Sequence, residues 1–120
     1  MGFHLDRDTL TASLATMDDR VQRAVNLVFD YMETAAESKM RAEAPWTDRT
    51  GNARAGLRAR HVESGGDHTL VLFHTMDYGV YLEVSHDGQY AIIGPTQIWA
   101  GVQLQRLLEA AVGRAMRGAA

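Results

Sequence analysis

The stretch LRARHVESGGDHTLVLFH, residues 57–74, decides the fold of this chain. Its first half alternates in the way of a half-buried strand, with Leu57, Ala59 and His61 on one face and Arg58 and Arg60 on the other. The sequence SGGD at 64–67 is a strong turn signal. Residues 69–74 are apolar on both faces, which is typical of a central strand. The stretch therefore predicts a β-hairpin.

Before the hairpin, an amphipathic pattern predicts one long helix over about residues 8–44. Its apolar residues recur at steps of three and four, which keeps them on one stripe: Leu10, Leu14, Met17, Val21, Ala24, Val25, Val28, Met32 and Ala35. Asp8 or Thr9 is the expected cap, because a short oxygen side chain accepts from the free amides of a first turn. Pro45 marks the expected end, since proline disfavours helical geometry at the preceding residue.

The length of this predicted helix bears on assembly. About 35 helical residues extend roughly 50 Å, whereas a compact chain of this size is roughly 35 Å across. The apolar stripe would then continue beyond the domain, where a neighbouring subunit is the simplest cover. We expect that subunit interface to include Val21, Val25, Val28 and Met32.

The region after the hairpin is less regular. Residues 78–84 fit helical and strand spacing about equally, whereas residues 89–93 favour a further strand after the tight-turn pair at 87–88. Gly94-Pro95-Thr96 opens a final helix over about 96–116, with Thr96 as its expected cap. The expected fold is therefore α+β: a single domain, 1–120, with a mainly antiparallel sheet within about 56–94 and a helix on either side of it in sequence.

Composition narrows the classes of function. Of the 120 residues, 46% are apolar, which is enough for a packed core. The net charge of −3 argues against an open nucleic-acid-binding surface, and the absence of cysteine excludes disulfides and thiolate metal sites. No run of about 18 apolar residues occurs, so no membrane span is expected. The N-terminal residues do not have the pattern of a secretory signal.

Several residues could carry chemistry. A metal site is one interpretation of His61, His68, His74 and His86, with Asp77, Glu83 and Asp87 close to them in sequence. None of these pairs has an established ligand spacing, so we expect no metal and no cofactor. Glu83 beside Tyr81 could act as a general acid or base, but the sequence offers no nucleophile motif and no partner carboxylate. We therefore expect no catalytic residues.

The only basic cluster lies around the start of the hairpin. It comprises Arg49, Arg54, Arg58 and Arg60, with Trp46 nearby. Such a set could contact nucleic acid by phosphate binding and stacking. The alternative is a solvated strand face or a set of ion pairs between subunits. The net negative charge of the chain favours this alternative over nucleic-acid binding. A non-specific contact with DNA passing through a ring stays open.

Two short motifs point to a family. The first combines Pro45 with Thr50, Gly51, Asn52, Arg54 and Leu57; the second is Tyr78, Gly79, Tyr81, Leu82 and Glu83. In order and spacing they resemble the tailed-bacteriophage family named after the tenth gene product of phage HK97, which is related to neck, tail-completion and minor tail proteins. Gly79 stands where alanine is common, the glycine-threonine pair after the glutamate is replaced, and the approach to the last helix has fewer prolines.

The resemblance implies a structural protein of the virion and no enzymatic activity. Such proteins form a homo-oligomeric ring, here expected to be a hexamer, at the head–tail junction between connector and tail tube. Their partners are other neck and tail proteins, and assembly takes place in the host cytoplasm. Alternatives are a tail terminator or head-closure subunit or, from another class, a small metal-dependent or ligand-binding enzyme around His74, Tyr81, Glu83 and His86.

Overall fold

The computed structural model describes residues 2–5, 9–13, 18–45, 52–75 and 91–117, with the backbone alone at 2–5, 12–13 and 52–53. Its elements run in the order β1 (Gly2–Leu5), β2 (Thr9–Ser13), α1 (Asp19–Glu43), α2 (Asn52–Ala55), β3 (Leu57–Ser64), β4 (Asp67–His74) and α3 (Ile93–Arg117). The two long helices and an antiparallel sheet confirm the predicted α+β class.

The predicted hairpin is present and forms half of the sheet. Strands β3 and β4 pair antiparallel, from Leu57 opposite His74 to Ser64 opposite Asp67. Gly65 and Gly66 turn the chain with φ of 59° and 88°, a conformation that glycine adopts without steric cost. The strand order is β1-β2-β4-β3, so β4 is a central strand as its apolar faces predicted.

The start of the first helix was predicted wrongly. Residues 9–13 form strand β2, which pairs with β4 so that Leu10 lies opposite Leu70, and both side chains are fully buried. The cap of helix α1 is Asp18, ten residues after Asp8, the earlier of the two proposed caps. Its Oδ1 accepts from the backbone N–H groups of Arg20 and Val21 at 2.9 and 3.1 Å. The spacing of Leu10 fits the helical stripe only by coincidence. The local sequence does not show that residues 9–13 pair with β4, because that strand lies far away along the chain.

The proposed subunit interface on α1 is also wrong for three of its four residues. Val21, Val25 and Met32 are at most 3% exposed and belong to the chain's own core, whereas Val28 is partly buried against it. A helix of 25 residues spans only about 37 Å. Its apolar stripe is covered by the sheet and by α3, so these side chains need no neighbour to bury them.

Helix α3 starts earlier than predicted. The N–H of Thr96 donates to the carbonyl of Ile92 at 3.0 Å, which places Ile93 at the first helical position and makes the predicted strand wrong at 91–93. Pro95 is tolerated because first-turn amides have no partner inside a helix. Thr96 is therefore a buried residue within the first turn rather than the cap, and Ile92 and Ile93 are core residues.

Helices α1 and α3 pack side by side in opposite directions. Lys39 Nζ near the end of α1 lies 4.8 Å from the ring centroid of Trp99 near the start of α3. At the other end, the first turns of α1 share a groove with the last turns of α3. Neither of these helices, nor any other in the described residues, is long and apolar enough to cross a membrane.

Candidate functional site

An arginine pair joins the end of α1 to the start of the hairpin. Arg54 donates from Nη1 to the carbonyl of Arg41 and from Nη2 to the carbonyl of Ala44, both at 2.8 Å. Arg41 donates from Nε to the carbonyl of Leu57 and from Nη2 to that of Ala55, both at 3.1 Å. Each guanidinium thus binds backbone of the segment next to the other arginine.

These bonds satisfy groups that a helix end leaves without partners. The last carbonyls of an α-helix have no donor within the helix, and a guanidinium offers several donors in a fixed plane. Leu57, immediately beyond this corner, is fully buried. The carbonyl of Gly56 accepts from the backbone N–H and the hydroxyl of Thr75 at 2.8 and 3.0 Å, which closes the base of the hairpin.

The structure places only part of the two sequence motifs. Arg54 and Leu57 lie at the corner, Pro45 is exposed just after the capping residue Ala44, and Asn52 begins the short helix α2. The remaining motif residues lie outside the described residues: Thr50, Gly51, Tyr78, Gly79, Tyr81, Leu82 and Glu83. Trp46, Arg49 and His86 lie outside them as well.

Carboxylates of α1 cover the edge of the sheet. Strand β3 is at the edge, and its outward N–H groups at Ala59 and His61 donate to Glu37 at 3.0 Å and to Glu33 at 2.6 Å. Arg41 adds a third contact, to the carbonyl of Leu57. Three helix residues spaced four apart, 33, 37 and 41, thus bond to three strand residues spaced two apart, 61, 59 and 57. Four helical residues rise about 6.0 Å and two strand residues about 6.6 Å, so the two repeats match. Residues 57–61 of this edge are therefore already paired and are not open to a further strand.

Two histidines named as metal candidates do come together. His61 Nε2 lies 2.9 Å from His68 Nδ1, His61 Nδ1 lies 2.8 Å from Asp30 Oδ1, and His68 Nε2 lies 2.9 Å from Gln22 Oε1. Both rings also contact Phe29, with centroids 5.2 and 5.5 Å away. Two nitrogens on one zinc would be about 3.3 Å apart, so the spacing fits a hydrogen-bonded chain better.

This chain of hydrogen bonds can be satisfied in two ways. With the Gln22 oxygen accepting, His68 donates to Gln22, and His61 must donate both to His68 and to Asp30, which makes His61 an imidazolium. Turning the Gln22 amide by half a rotation reverses the order and leaves both rings neutral. Burial of His68, together with the nearby His61, lowers the pKa of His68 below its usual 6.5. The two states differ by one proton and one amide orientation.

The remaining histidine and arginine candidates lie apart from this chain of bonds. His74 is six residues along β4 from His68, about 20 Å away along the strand. No three histidine, aspartate or glutamate side chains converge as metal ligands within the part of the chain that the structure describes. Arg58 and Arg60 are exposed on β3, separated by the buried Ala59, whereas Arg54 is engaged at the corner. The arginines of the predicted basic cluster therefore lie in two different places, Arg54 at the corner and Arg58 with Arg60 on the exposed face of β3.

An apolar groove lies between α1 and α3. It has a volume of about 650 Å³ and is lined by apolar side chains from both helices: Ala24, Leu27, Val28 and Tyr31 from α1, and Leu107, Ala111 and Ala115 from α3. Leu27 and Tyr31 are 68% and 63% exposed, although they lie on a helix whose other face is fully buried. Arg20, Arg23 and Arg114 complete the lining.

Sequence reasoning missed this groove, because it assigned the apolar residues of α1 to a single stripe. The helix carries two apolar faces: a core face that includes Val25 and Phe29, and an outer face with Leu27 and Tyr31. A second exposed set lies on the outer side of α3 and comprises Ile98, Val102 and Met116. These positions are four and fourteen residues apart, so they share one side of the helix.

Comparison with protein-family models, with characterised proteins and with solved structures finds no match to this chain. The likeness to the phage family therefore rests on the motif residues and on their order along the sequence.

Proposed function

We propose that this protein is a structural subunit of the head–tail junction of a tailed bacteriophage, built into the virion as a ring between connector and tail tube. Six copies are the expected number, and assembly takes place in the host cytoplasm. The protein has no catalytic role in this proposal. It acts by joining neighbouring layers of the particle.

The observation that carries the proposal is the position of Arg54. The resemblance implies an architectural corner at this motif, and Arg54 binds the last carbonyls of α1 while Leu57 anchors the first strand of the hairpin in the core. Both motif residues therefore serve the architecture of the chain. A long helix, a fixed corner, a hairpin and a final helix follow each other in the order that the family has.

The exposed apolar surfaces support a role in assembly. Patches of this kind on soluble proteins mark contact sites, and a ring closes only when each subunit presents two different, complementary surfaces. The outer side of α3 around Ile98 is one such surface between copies, and the groove beside Leu27 is a separate surface that faces a different protein of the particle. They replace the core residues Val21, Val25 and Met32 as candidate contacts. Arg58 and Arg60 stay exposed for a non-specific contact with DNA in the lumen.

The proposal is tested by deleting the gene from a phage that carries it and examining the products by negative-stain microscopy. We expect separate heads and tails, or tails that fail to attach, with joined particles restored by the wild-type gene in trans. A matched pair of complementing genes, Ile98→Asp and Val62→Asp, separates a contact on the outer side of α3 from the same kind of change at an exposed apolar residue on β3. Normal infectious particles from the deletion stock would overturn the proposal.

A further inference from the structure

We infer that the groove between α1 and α3 is a docking site for an amphipathic helix with acidic residues on its flanks, supplied by a different protein. The inference goes beyond the proposed function and stands without it, because it depends only on the shape and charge of the groove. Nothing in it requires a ring or a virion.

The shape of the groove fits a helix. Its α1 side runs from Arg20 to Tyr31 along positions spaced three and four apart, a length of about 16 Å or three helical turns. The α3 side supplies Leu107, Ala111 and Ala115 at the same spacing. Alanines on both walls let a third helix approach closely, while Leu27 and Tyr31 rise beside it. This is the arrangement in which an apolar helix face inserts anchors at i, i+3, i+4 and i+7.

The exposure of the groove favours a helix over a small ligand. A pocket for a small molecule covers most of its ligand, whereas the Leu27 side chain, 68% exposed, stands open to solvent. A docked helix would cover Leu27 and Tyr31 together and would leave its own polar face in water. Burial of apolar area on both partners supplies the driving force.

The charge of the lining identifies the partner's chemistry. Three lining residues are arginines, which stay charged at any physiological pH, and the described lining contains no carboxylate. Arg20 has a long, exposed contact of 3.9 Å with Asp18, whose carboxylate also attracts Arg23 at longer range, and no salt bridge within the described residues holds Arg23 or Arg114. Aspartates or glutamates on the flanks of the incoming helix would complete these pairs, and lysines there would be repelled.

A second copy of this protein fits the groove poorly. A symmetric pair would bring the same three arginines against each other. The exposed apolar side of α3, around Ile98, is the other available helix surface, but the charged residues beside it are Arg106, Glu109 and Arg117, with an excess of positive charge. The groove therefore favours an acidic partner over the protein itself.

The test uses the full chain and two synthetic helical peptides of about 18 residues, long enough to form a helix on binding. Both carry leucines at the four anchor positions; one has glutamates on the flanks and the other has lysines. Binding is followed by fluorescence anisotropy, and the site is located by amide chemical shifts. We expect saturable micromolar binding of the glutamate peptide, at least about tenfold tighter than the lysine peptide, with shifts along residues 20–31 and 107–115.

Matched variants separate groove binding from general stickiness. Leu27→Asp should abolish binding, whereas Ile98→Asp, which changes an equally exposed residue outside the groove, should not. The double variant Arg23→Glu with Arg114→Glu should prefer the lysine peptide, and Arg58→Glu should keep the original preference. No binding up to about 1 mM peptide, equal binding of both peptides, or shifts confined to other surfaces would overturn the inference. So would self-association of the protein that Leu27→Asp converts to a monomer.

Discussion

Arg41 and Arg54 form reciprocal side-chain to backbone hydrogen bonds. The Arg54 guanidinium donates to two carbonyls at the end of α1, and the Arg41 guanidinium donates to two carbonyls just after Arg54. The pair connects the end of α1 to the first strand of the hairpin through these backbone carbonyls, and Arg41 Nη2 also lies 3.5 Å from Glu37 Oε2. It fixes the angle at which the hairpin leaves the helix, and with it the position of β3 beside α1.

Replacing Arg54 with lysine should destabilise the protein by about 2 kcal/mol, because one ammonium cannot reach both carbonyls in the geometry of a guanidinium. Urea unfolding followed by circular dichroism measures the change. Arg58→Lys is the control and should lie within about 0.5 kcal/mol of the wild type, since Arg58 is exposed. Equal unfolding midpoints for the two variants would show that the corner does not stabilise the fold.

Replacing Glu37 with alanine should expose the N–H of Ala59 to exchange. This amide now donates to the Glu37 carboxylate at 3.0 Å, on the outer side of the edge strand β3. Hydrogen exchange followed by NMR should be about tenfold faster or more at this amide, because the bond to a charged acceptor is lost. Glu37→Gln keeps an acceptor oxygen and should restore much of the protection. Equal protection of Ala59 in the alanine variant would contradict the helix-to-edge ladder.

The two apolar faces of α1 should respond differently to truncation. Val25→Ala should cost about 2 kcal/mol of stability, since Val25 is fully buried in the core. Leu27→Ala removes a larger side chain and should change stability by no more than about 0.5 kcal/mol, because Leu27 lies on the surface. Denaturant midpoints of the two variants check this. A larger loss for Leu27→Ala would mean that the outer face is part of the core.

Acid should weaken the fold through His68. Its folded-state pKa is lowered, mainly by burial and then by the nearby His61, although Asp30, Glu63 and Asp67 act in the opposite sense. The unfolded chain then binds the proton more readily, so this contribution is complete above pH 6.5 and is lost as the pH falls from 6.5 towards the lowered value.

Unfolding midpoints at several pH values between 8 and 5 test this, and His68→Gln should flatten the dependence in that range. Asp18→Asn is the control. The pKa of Asp18 is lowered by hydrogen bonds from the amides of Val21 and Arg20, so its contribution disappears only as the pH falls below its usual value of 3.8. That variant should therefore keep the decline between pH 8 and 5. An unchanged slope in His68→Gln would refute the role of His68.

The parts of the fold that sequence predicts well are those that local pattern specifies. The two glycines at 65–66 and the alternation from Leu57 onward are enough for the hairpin, because turn geometry and strand period act over a few residues. The start of α1 was not predictable in this way. Leu10 fits a helical stripe and a strand equally, and its pairing with Leu70 joins residues far apart in sequence.

The residues of the candidate site could also be predicted from the sequence only in part. The resemblance singled out Arg54, but not Arg41, since their bonds go to backbone carbonyls and carry no residue signature. Glu33 and Glu37 were also missed, although their four-residue spacing with Arg41 along one helix face was a usable signal. An amphipathic pattern shows that one face of a helix is buried, but it does not show what covers that face. Val25 was therefore expected to contact a neighbouring subunit, although it lies in the core of its own chain.

Cryo-electron microscopy of complete particles is the most direct test of whether this protein has a place in the virion. Particles are prepared from a tailed phage whose copy of this gene carries a short C-terminal tag, then labelled with a tag-specific Fab. We expect label in a closed ring at the head–tail junction, with density that fits α1, the hairpin and α3. Complete particles that contain no tagged protein, or label at any other position, would contradict it.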